Sequence, residues 1–265
     1  MNKNRHIDIM GIVNLTDDSY FAQSRCPGVD AALQRVGKML DEGATIIDVG
    51  ACSTRPGSVP VGADEECRRL GSVLPYIRDA YPEARISIDT YWSDVVSFAY
   101  DLIGDVIVND ISAGEDDPQM LPLVGKLGLT YVAMHKRGTP KEMQLLTDYN
   151  DIVGDVIAYF KGFAEKALQN EIKDWIIDPG FGFAKTIEQN YELLSRLEEF
   201  KVFDRKVLVG VSRKSMIYKL LGISPEESLP ATQVLHLKAL QQGADILRVH
   251  DVAETIRTIC LYRHL

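Results

Sequence analysis

Asn14, Thr54, Arg55, Asp89, Asn109, Asp178, Lys214, Ser215, Arg248 and His250 are the side chains whose types and spacing suit shared chemistry. Two carboxylates and an asparagine suit a planar heterocycle that presents both donors and acceptors, because an ionised carboxylate only accepts while an amide does both. Arg55, Arg248 and His250 suit a phosphate or pyrophosphate, since a guanidinium offers several donors in a fixed fork. The sharpest stretch spans residues 176–186. Asp178 is the first charge after the apolar run Trp175-Ile176-Ile177, Pro179 cannot donate to a ladder, and Gly180 and Gly182 permit a tight turn with close approach by a ligand. Thr186 and Gln189 then have capping-box spacing, and Asn190, Leu193, Leu194 and Leu197 continue a helical stripe. This stretch reads equally as the floor of a ligand site and as an ordinary strand-to-helix turn in which Asp178 satisfies nearby amides.

Other polar groups have plainer readings. Asp48 fits a buried structural carboxylate. His250, beside Asp251, either binds an anion, the preferred reading, or caps a helix. Arg213 fits an ion pair behind the site, and Lys136 and Lys185 read as solvated surface charges outside it.

These side chains must be positioned by an alternation of strand and helix. Strands are expected at 8–15, 45–51, 85–90, 106–112, 130–133, 175–178, 207–211 and 246–249. Between them fall helices at 29–42, 64–79, 93–102, 118–127, 151–169, from Thr186 through Leu197, and from Ser224 to Gly243, with a last one opening at Asp251. Gly154 and Gly162 weaken the pattern in 151–169, and residues 139–149 carry no clear periodicity. Eight strand-helix pairs fit one closed (β/α)8 barrel, a TIM barrel, as a single domain over residues 1–265. A faint repeat agrees with this: Gly43, Gly104 and Gly243 each stand five residues before a polar strand residue, Asp48, Asn109 and Arg248. An open doubly wound sheet is the competing fold, but no Gly-rich dinucleotide fingerprint follows the first strand. In a barrel every strand aims its C-terminal end at one mouth, so the polar residues converge without further devices.

Composition narrows the partners. The 265 residues are 46% hydrophobic and 25% charged, which suits one sizeable core, and the net charge of -9 disfavours nucleic acid or an anionic membrane. Cys26, Cys52, Cys67 and Cys260 lack metal-ligand spacing and read as free thiols. The short polar start and the absence of a long apolar run lead to the expectation of a cytoplasmic protein.

Eight blocks make the sequence recognisable: Met10-Gly11-Ile12-Val13-Asn14-Leu15-Thr16, Ser53-Thr54-Arg55-Pro56-Gly57, Ser87-Ile88-Asp89-Thr90, Asn109-Asp110, Met134-His135, Asp178-Pro179-Gly180-Phe181-Gly182-Phe183, Ser212-Arg213-Lys214-Ser215 and Arg248-Val249-His250-Asp251. In this order they resemble the dihydropteroate synthase family along nearly the whole chain. The resemblance implies that 6-hydroxymethyl-7,8-dihydropterin diphosphate condenses with 4-aminobenzoate, with Mg2+ (magnesium), to give 7,8-dihydropteroate and pyrophosphate. It implies that Asp89, Asn109, Asp178 and Lys214 bind the pterin, with Met134 and Phe183 on its flat faces. Thr54, Arg55, Arg248 and His250 would hold the diphosphate, Val249 would be among the substrate-binding residues, Asn14 would give its amide oxygen to magnesium, and Thr54, Pro56 and Ser215 would border the aminobenzoate. Arg55, Lys214, Arg248 and His250 would carry the catalytic charge. A homodimer is likewise implied only by the resemblance.

Two departures fall in the first loop, where Asp17 stands at a position usually proline and Ala22 at one usually aspartate. They raise the alternative of a catalytically silent pterin-binding relative. A pterin-binding methyltransferase would share the barrel but has no use for an anion site. The long polar loops after the first two strands are expected to gather around the diphosphate, so that aminobenzoate binds after the pterin.

Overall fold

Each strand is joined to the next by a segment long enough for a helical crossover, so neighbouring strands pair in parallel. The computed structural model describes residues 5–15, 28–52, 61–139 and 142–265. Its strands are β1 (Asp8–Asn14), β2 (Ile46–Gly50), β3 (Ile86–Asp89), β4 (Ile107–Asp110), β5 (Thr130–Met134), β6 (Trp175–Asp178), β7 (Leu208–Val209) and β8 (Ile246–Val249). They form one sheet in the order β6-β5-β4-β3-β2-β1-β8-β7. A parallel bridge between Ile177 and Val207, with the Ile177 amide donating to Lys206 O at 2.9 Å, joins the two ends of that order. The result is the expected single-domain (β/α)8 barrel.

Inside it, Met10, Ile46, Ile107, Val132, Ile176, Leu208 and Ile246 pack as a plug contributed by seven strands. Side chains alternate across a strand, so the residue two places further on points to the same face. Two places beyond plug residues stand Asp48, Asn109, Met134, Asp178 and Arg248; two places before Met10 stands Asp8. The apolar plug therefore separates a polar layer at the C-terminal mouth from a buried carboxylate at the opposite end. The outward residues, among them Ile9, Val49, Ile88, Val108, Ile177 and Val249, pack in the larger core between strands and helices.

That outer layer contains α1 (Val29–Asp41), α2 (Ala63–Gly71), α3 (Leu74–Ala80), α4 (Ser93–Ile103), α5 (Met120–Leu127), α6 (Ile152–Gln169), α7 (Ile187–Ser195), α8 (Ser215–Leu221), α9 (Leu229–Gln241) and α10 (Val252–His264). The helix expected over 64–79 is two helices. Pro75, in the first turn of α3, lacks the amide that a continuous helix would direct to the carbonyl four residues back, at the end of α2. The capping pair Ser224 and Glu227 forms in both directions but opens a 3-10 turn, Glu226–Ser228, and α9 begins only at Leu229. Short α8 was not expected at all. By contrast α6 runs unbroken through Gly154 and Gly162, and the Thr186–Gln189 capping box is present at the start of α7.

Candidate active site at the C-terminal mouth

The mouth is organised around Arg248. Its Nε donates to Asp48 Oδ2 at 2.7 Å, and its Nη2 reaches Asp48 Oδ2 at 2.6 Å and Asp89 Oδ2 at 2.5 Å. Asn109 closes the group by directing Nδ2 to both oxygens of Asp48, at 3.3 and 3.2 Å, which leaves its Oδ1 as an acceptor. Asp48 is wholly buried, in line with its reading as a structural carboxylate, but it also aims the two residues expected to hold ligand. Asp89 keeps 14% of its side-chain exposure and opens onto the mouth. Gly50 makes room here: a Cβ on it would meet Asp89 Cβ at 3.4 Å and Asn14 Oδ1 at 3.6 Å, so Asp89 and the Asn14 amide oxygen both border the space above this glycine.

On the opposite side, Asp178 ends β6 level with Met134, its partner in the β5–β6 register. Asp178 Oδ1 accepts from the Gly180 amide at 2.8 Å, as the plain reading of a strand-to-helix turn requires, and Oδ2 remains for a ligand donor. Gly180 and Gly182 both have positive φ, 73° and 83°, and a Cβ on Gly180 would overlap the His135 carbonyl oxygen. The turn is glycine because its backbone packs directly on the end of β5. Lys214 extends over it: Nζ donates to Phe181 O and stands 5.0 Å from the centroid of the Phe183 ring. Asp89, Asn109, Met134, Asp178, Phe183, Lys214 and Arg248 are thus brought to one mouth. Ser215 is half-buried at the first position of α8, directly after Lys214.

The ionisable groups here are shifted against one another, a pattern common at functional sites. Burial pushes Asp89 up, with Arg248 opposing and Asp48 and Asp110 reinforcing. It also pushes Asp178 up, against Lys214 and the Gly180 amide. Burial lowers Lys214 to about 8, although Asp178 and Asp89 favour its charge. Burial works against the charge of Arg248 too, but Asp48 and Asp89 outweigh it and hold the guanidinium above its usual range.

Several expectations need correction. Val249 is fully buried in the core between strands and helices, because it alternates with Arg248 and faces away from the mouth; its side chain cannot line the site. Lys136 and Lys185 are not solvated. Lys136 is 7% exposed and donates to Asp116 at 2.5 Å, while Lys185 is 4% exposed and donates to Gly180 O at 2.9 Å and Phe183 O at 3.0 Å. A lysine in the middle of an apolar turn, between Ala184 and a helix cap, was the signal available for the latter. Arg213 is the ion pair expected behind the site: it grips Asp251 with two bonds, at 2.8 and 2.9 Å, and also donates to Pro225 O and Glu226 O. Asp251 accordingly makes no side-chain cap on α10.

His250 is half-buried, with Nδ1 3.0 Å from Ser212 Oγ, and burial followed by the nearby Arg248, Arg213 and Arg35 lowers it to about 3 despite Asp251. In the empty mouth it is therefore a neutral imidazole at physiological pH, able to serve an anion by hydrogen bonding. Thr54, Arg55, Pro56, Asp17 and Ala22 lie outside the described residues.

A mouth that offers carboxylate and amide acceptors beside two cations defines a binder of a polar flat ring, and comparison with known proteins agrees. Residues 10–250 match the family described as pterin binding enzyme, and the chain belongs to that family. It is similar to the dihydropteroate synthase of Escherichia coli, with 39% identity over 256 residues covering 96% of this chain and 90% of that one. A crystal structure of Yersinia pestis dihydropteroate synthase in a sulfonamide drug complex matches with a TM-score of 0.92 at 35% identity, covering 98% of this chain and 93% of the other. The Thermus thermophilus dihydropteroate synthase, solved with 4-aminobenzoate, matches with a TM-score of 0.87 at 35% identity, covering 99% and 98%.

Proposed function

We propose that this chain condenses 6-hydroxymethyl-7,8-dihydropterin diphosphate with 4-aminobenzoate, releasing pyrophosphate and 7,8-dihydropteroate. The observation that carries the reading is the meeting of Asp89, Asn109, Asp178, Lys214 and Arg248 at one barrel mouth inside a family of pterin-binding enzymes. Asp178 Oδ2 and Asn109 Oδ1 accept from the amino-pyrimidine edge, and Met134 and Phe183 bound the flat faces of the ring. The bond from the pterin methylene carbon to the diphosphate oxygen breaks, and its electron pair leaves with the diphosphate. The aniline nitrogen then donates its lone pair to the methylene carbon and loses a proton. Arg248, whose Nη1 donates to no described residue, and Lys214 stabilise the charge that develops on the leaving group. No protein nucleophile enters; positioning and charge stabilisation are the enzyme's contribution.

Magnesium fits this arrangement as a partner of the substrate. Among the described residues no cluster of three His, Cys, Asp or Glu side chains could hold a metal, but Asn14, at the end of β1, carries a hard amide oxygen. One protein oxygen with phosphate oxygens and water suits magnesium. When bound, it would spread the negative charge of the diphosphate. A homodimer is proposed from the exposed Leu220 and Leu221 of α8, Val234 of α9 and Leu261 of α10, which would be covered by a second copy. A cytoplasmic location is proposed too, supported by the lack, among the described residues, of any helix long and apolar enough to cross a membrane.

The test is to mix the protein with magnesium, the pterin diphosphate and 4-aminobenzoate. Pyrophosphate release that depends on aminobenzoate is expected; binding of the pterin without release would instead mark a silent pterin binder. Labelled aminobenzoate should bind weakly alone and tightly with pterin and magnesium pyrophosphate present, and equal affinities would exclude an ordered assembly of its pocket.

A further inference from the structure

The turn from Gly180 to Lys185 holds three residues with left-handed backbone, Gly180, Gly182 and Ala184, the last at φ 50° and carrying a Cβ. Such a conformation persists only where its surroundings over-determine it. Asp178 takes the Gly180 amide, and Asn190 Oδ1 takes the Gly182 amide at 2.7 Å. The carbonyls on the same turn are held by lysines: Lys214 takes Phe181 O from the mouth, and Lys185 takes Gly180 O and Phe183 O from beneath. The third direction of the Lys185 ammonium meets His135 Nδ1 at 3.0 Å. His135 is buried, edge-on to Tyr159 at 4.9 Å between centroids, and its own amide donates to Asp178 O at 3.0 Å.

We propose that Lys185 is a positioning residue for pterin recognition: its ammonium joins the Phe183 carbonyl, the Gly180 carbonyl and His135, and so fixes the ring-facing Phe183 relative to Asp178. This inference rests on the reading of the mouth as a pterin site. A lysine suits the place because an ammonium supplies three donors to three acceptors around one point. No carboxylate lies within ion-pair distance of it among the described residues, and its partners are carbonyl dipoles and a ring nitrogen. The neutral state of His135 agrees, since burial and then Lys185 and Arg137 lower it to about 2, and opposite a donor-only ammonium the tautomer protonated at Nε2 presents Nδ1 as the acceptor. Burial, against Asp178 and with Lys214 and Arg137, also lowers Lys185 to about 7, so the ammonium that makes all three bonds prevails below neutral pH.

The experiment uses the full chain with Lys185→Met, which keeps length and removes the donors, and Lys185→Gln, which keeps two of the three N–H donors at similar depth. Calorimetric titrations with the pterin diphosphate and, separately, with inorganic pyrophosphate, both with magnesium, are run on wild type and variants. Lys185→Met is expected to weaken pterin diphosphate binding by about tenfold to a hundredfold, the size seen for partners that orient metal ligands. Pyrophosphate affinity and the KM for 4-aminobenzoate should stay unchanged, and Lys185→Gln should recover part of the loss. Equal losses for pterin diphosphate and pyrophosphate, or no loss, would overturn the proposal, as would failure of both variants to fold, which would assign Lys185 to the core. A wild-type protein that does not bind the pterin would instead sink the proposed function itself.

Discussion

The two ends of the barrel treat a buried carboxylate in opposite ways. At the N-terminal end Asp8 is 1% exposed and fully provided for: Lys206, Arg85, Thr45 and His6 each reach it at 3.0 Å. Burial opposes its charge, yet Lys206, Thr45 and Arg85 more than offset this and bring it down to about 2. At the mouth Asp48, Asp89 and Asp178 share Arg248 and Lys214, Asp89 and Asp178 are pushed up, and Lys214 is pulled down. The plug of Met10, Ile46 and their neighbours keeps the two groups apart. One end is finished and holds the barrel; the other is left for a ligand to complete.

The comparison breaks most visibly at Asp178. Asp178→Ala should weaken pterin binding by about 2 to 5 kcal/mol, the usual cost of removing one partner of a buried charged contact, while the protein stays folded. A pterin affinity unchanged by calorimetry would remove Asp178 from the site. Next in size, Arg248→Ala should lower turnover roughly a hundredfold to a thousandfold. It leaves Asp48 and Asp89 without their guanidinium, so affinity for the diphosphate should fall more than affinity for a pterin lacking phosphate; parallel losses would place Arg248 on the ring alone.

The finished end should respond in stability and not in binding. Asp8→Asn is expected to lower the urea midpoint by an amount corresponding to about 1 to 3 kcal/mol, since the hydrogen bonds it weakens go to charged groups. The sign with pH follows from the depressed value. Because Asp8 titrates near 2 in the fold against an ordinary 3.8, its contribution is present above 3.8 and is lost as pH falls toward 2. Wild type should thus lose stability more steeply than Asp8→Asn below pH 4, and matching slopes would show that Asp8 gains nothing from its partners. Lys206→Ala gives the smallest effect, about 0.2 to 1 kcal/mol, because its side chain is 52% exposed and water screens the pair. Pterin affinity unaffected by either change is what distinguishes this end from the other.

Much of this was legible in the sequence, for physical reasons that can be named. Strands two and eight were plain because short apolar runs end in Asp48 and Arg248 after helix-stopping glycines, Gly43 and Gly243, and both glycines do have positive φ. The mouth residues were legible because a parallel barrel sends every strand end to one face. What escaped was local or three-dimensional. The break between α2 and α3 turns on one proline, and α8 spans only residues 215–221, too short to show a period. Val249 was placed in the site by its neighbours in the motif, whereas alternation along β8 already assigns it to the other face. Burial of Lys185 could not be read from its type, because a lysine is buried only when its particular acceptors surround it.

The seam between β6 and β7 has a consequence for how the molecule breathes. β7 has two residues, and the described seam holds a single bridge, at Ile177 and Val207, whereas β7 pairs with β8 at both Leu208 and Val209, and Asp245 and Ile246 also donate to the preceding Val207 O. Directly above, the ladder is replaced by a side chain, as Lys214, which follows β7, reaches across to Phe181, which follows β6. A ligand held by Asp178 on one side and Lys214 on the other spans that same joint, acting as a stitch in the cylinder wall. Amide protons around Ile177 and Val207 should therefore exchange with solvent faster than those of β1 and β2 in the empty protein, and slow the most when the mouth is filled.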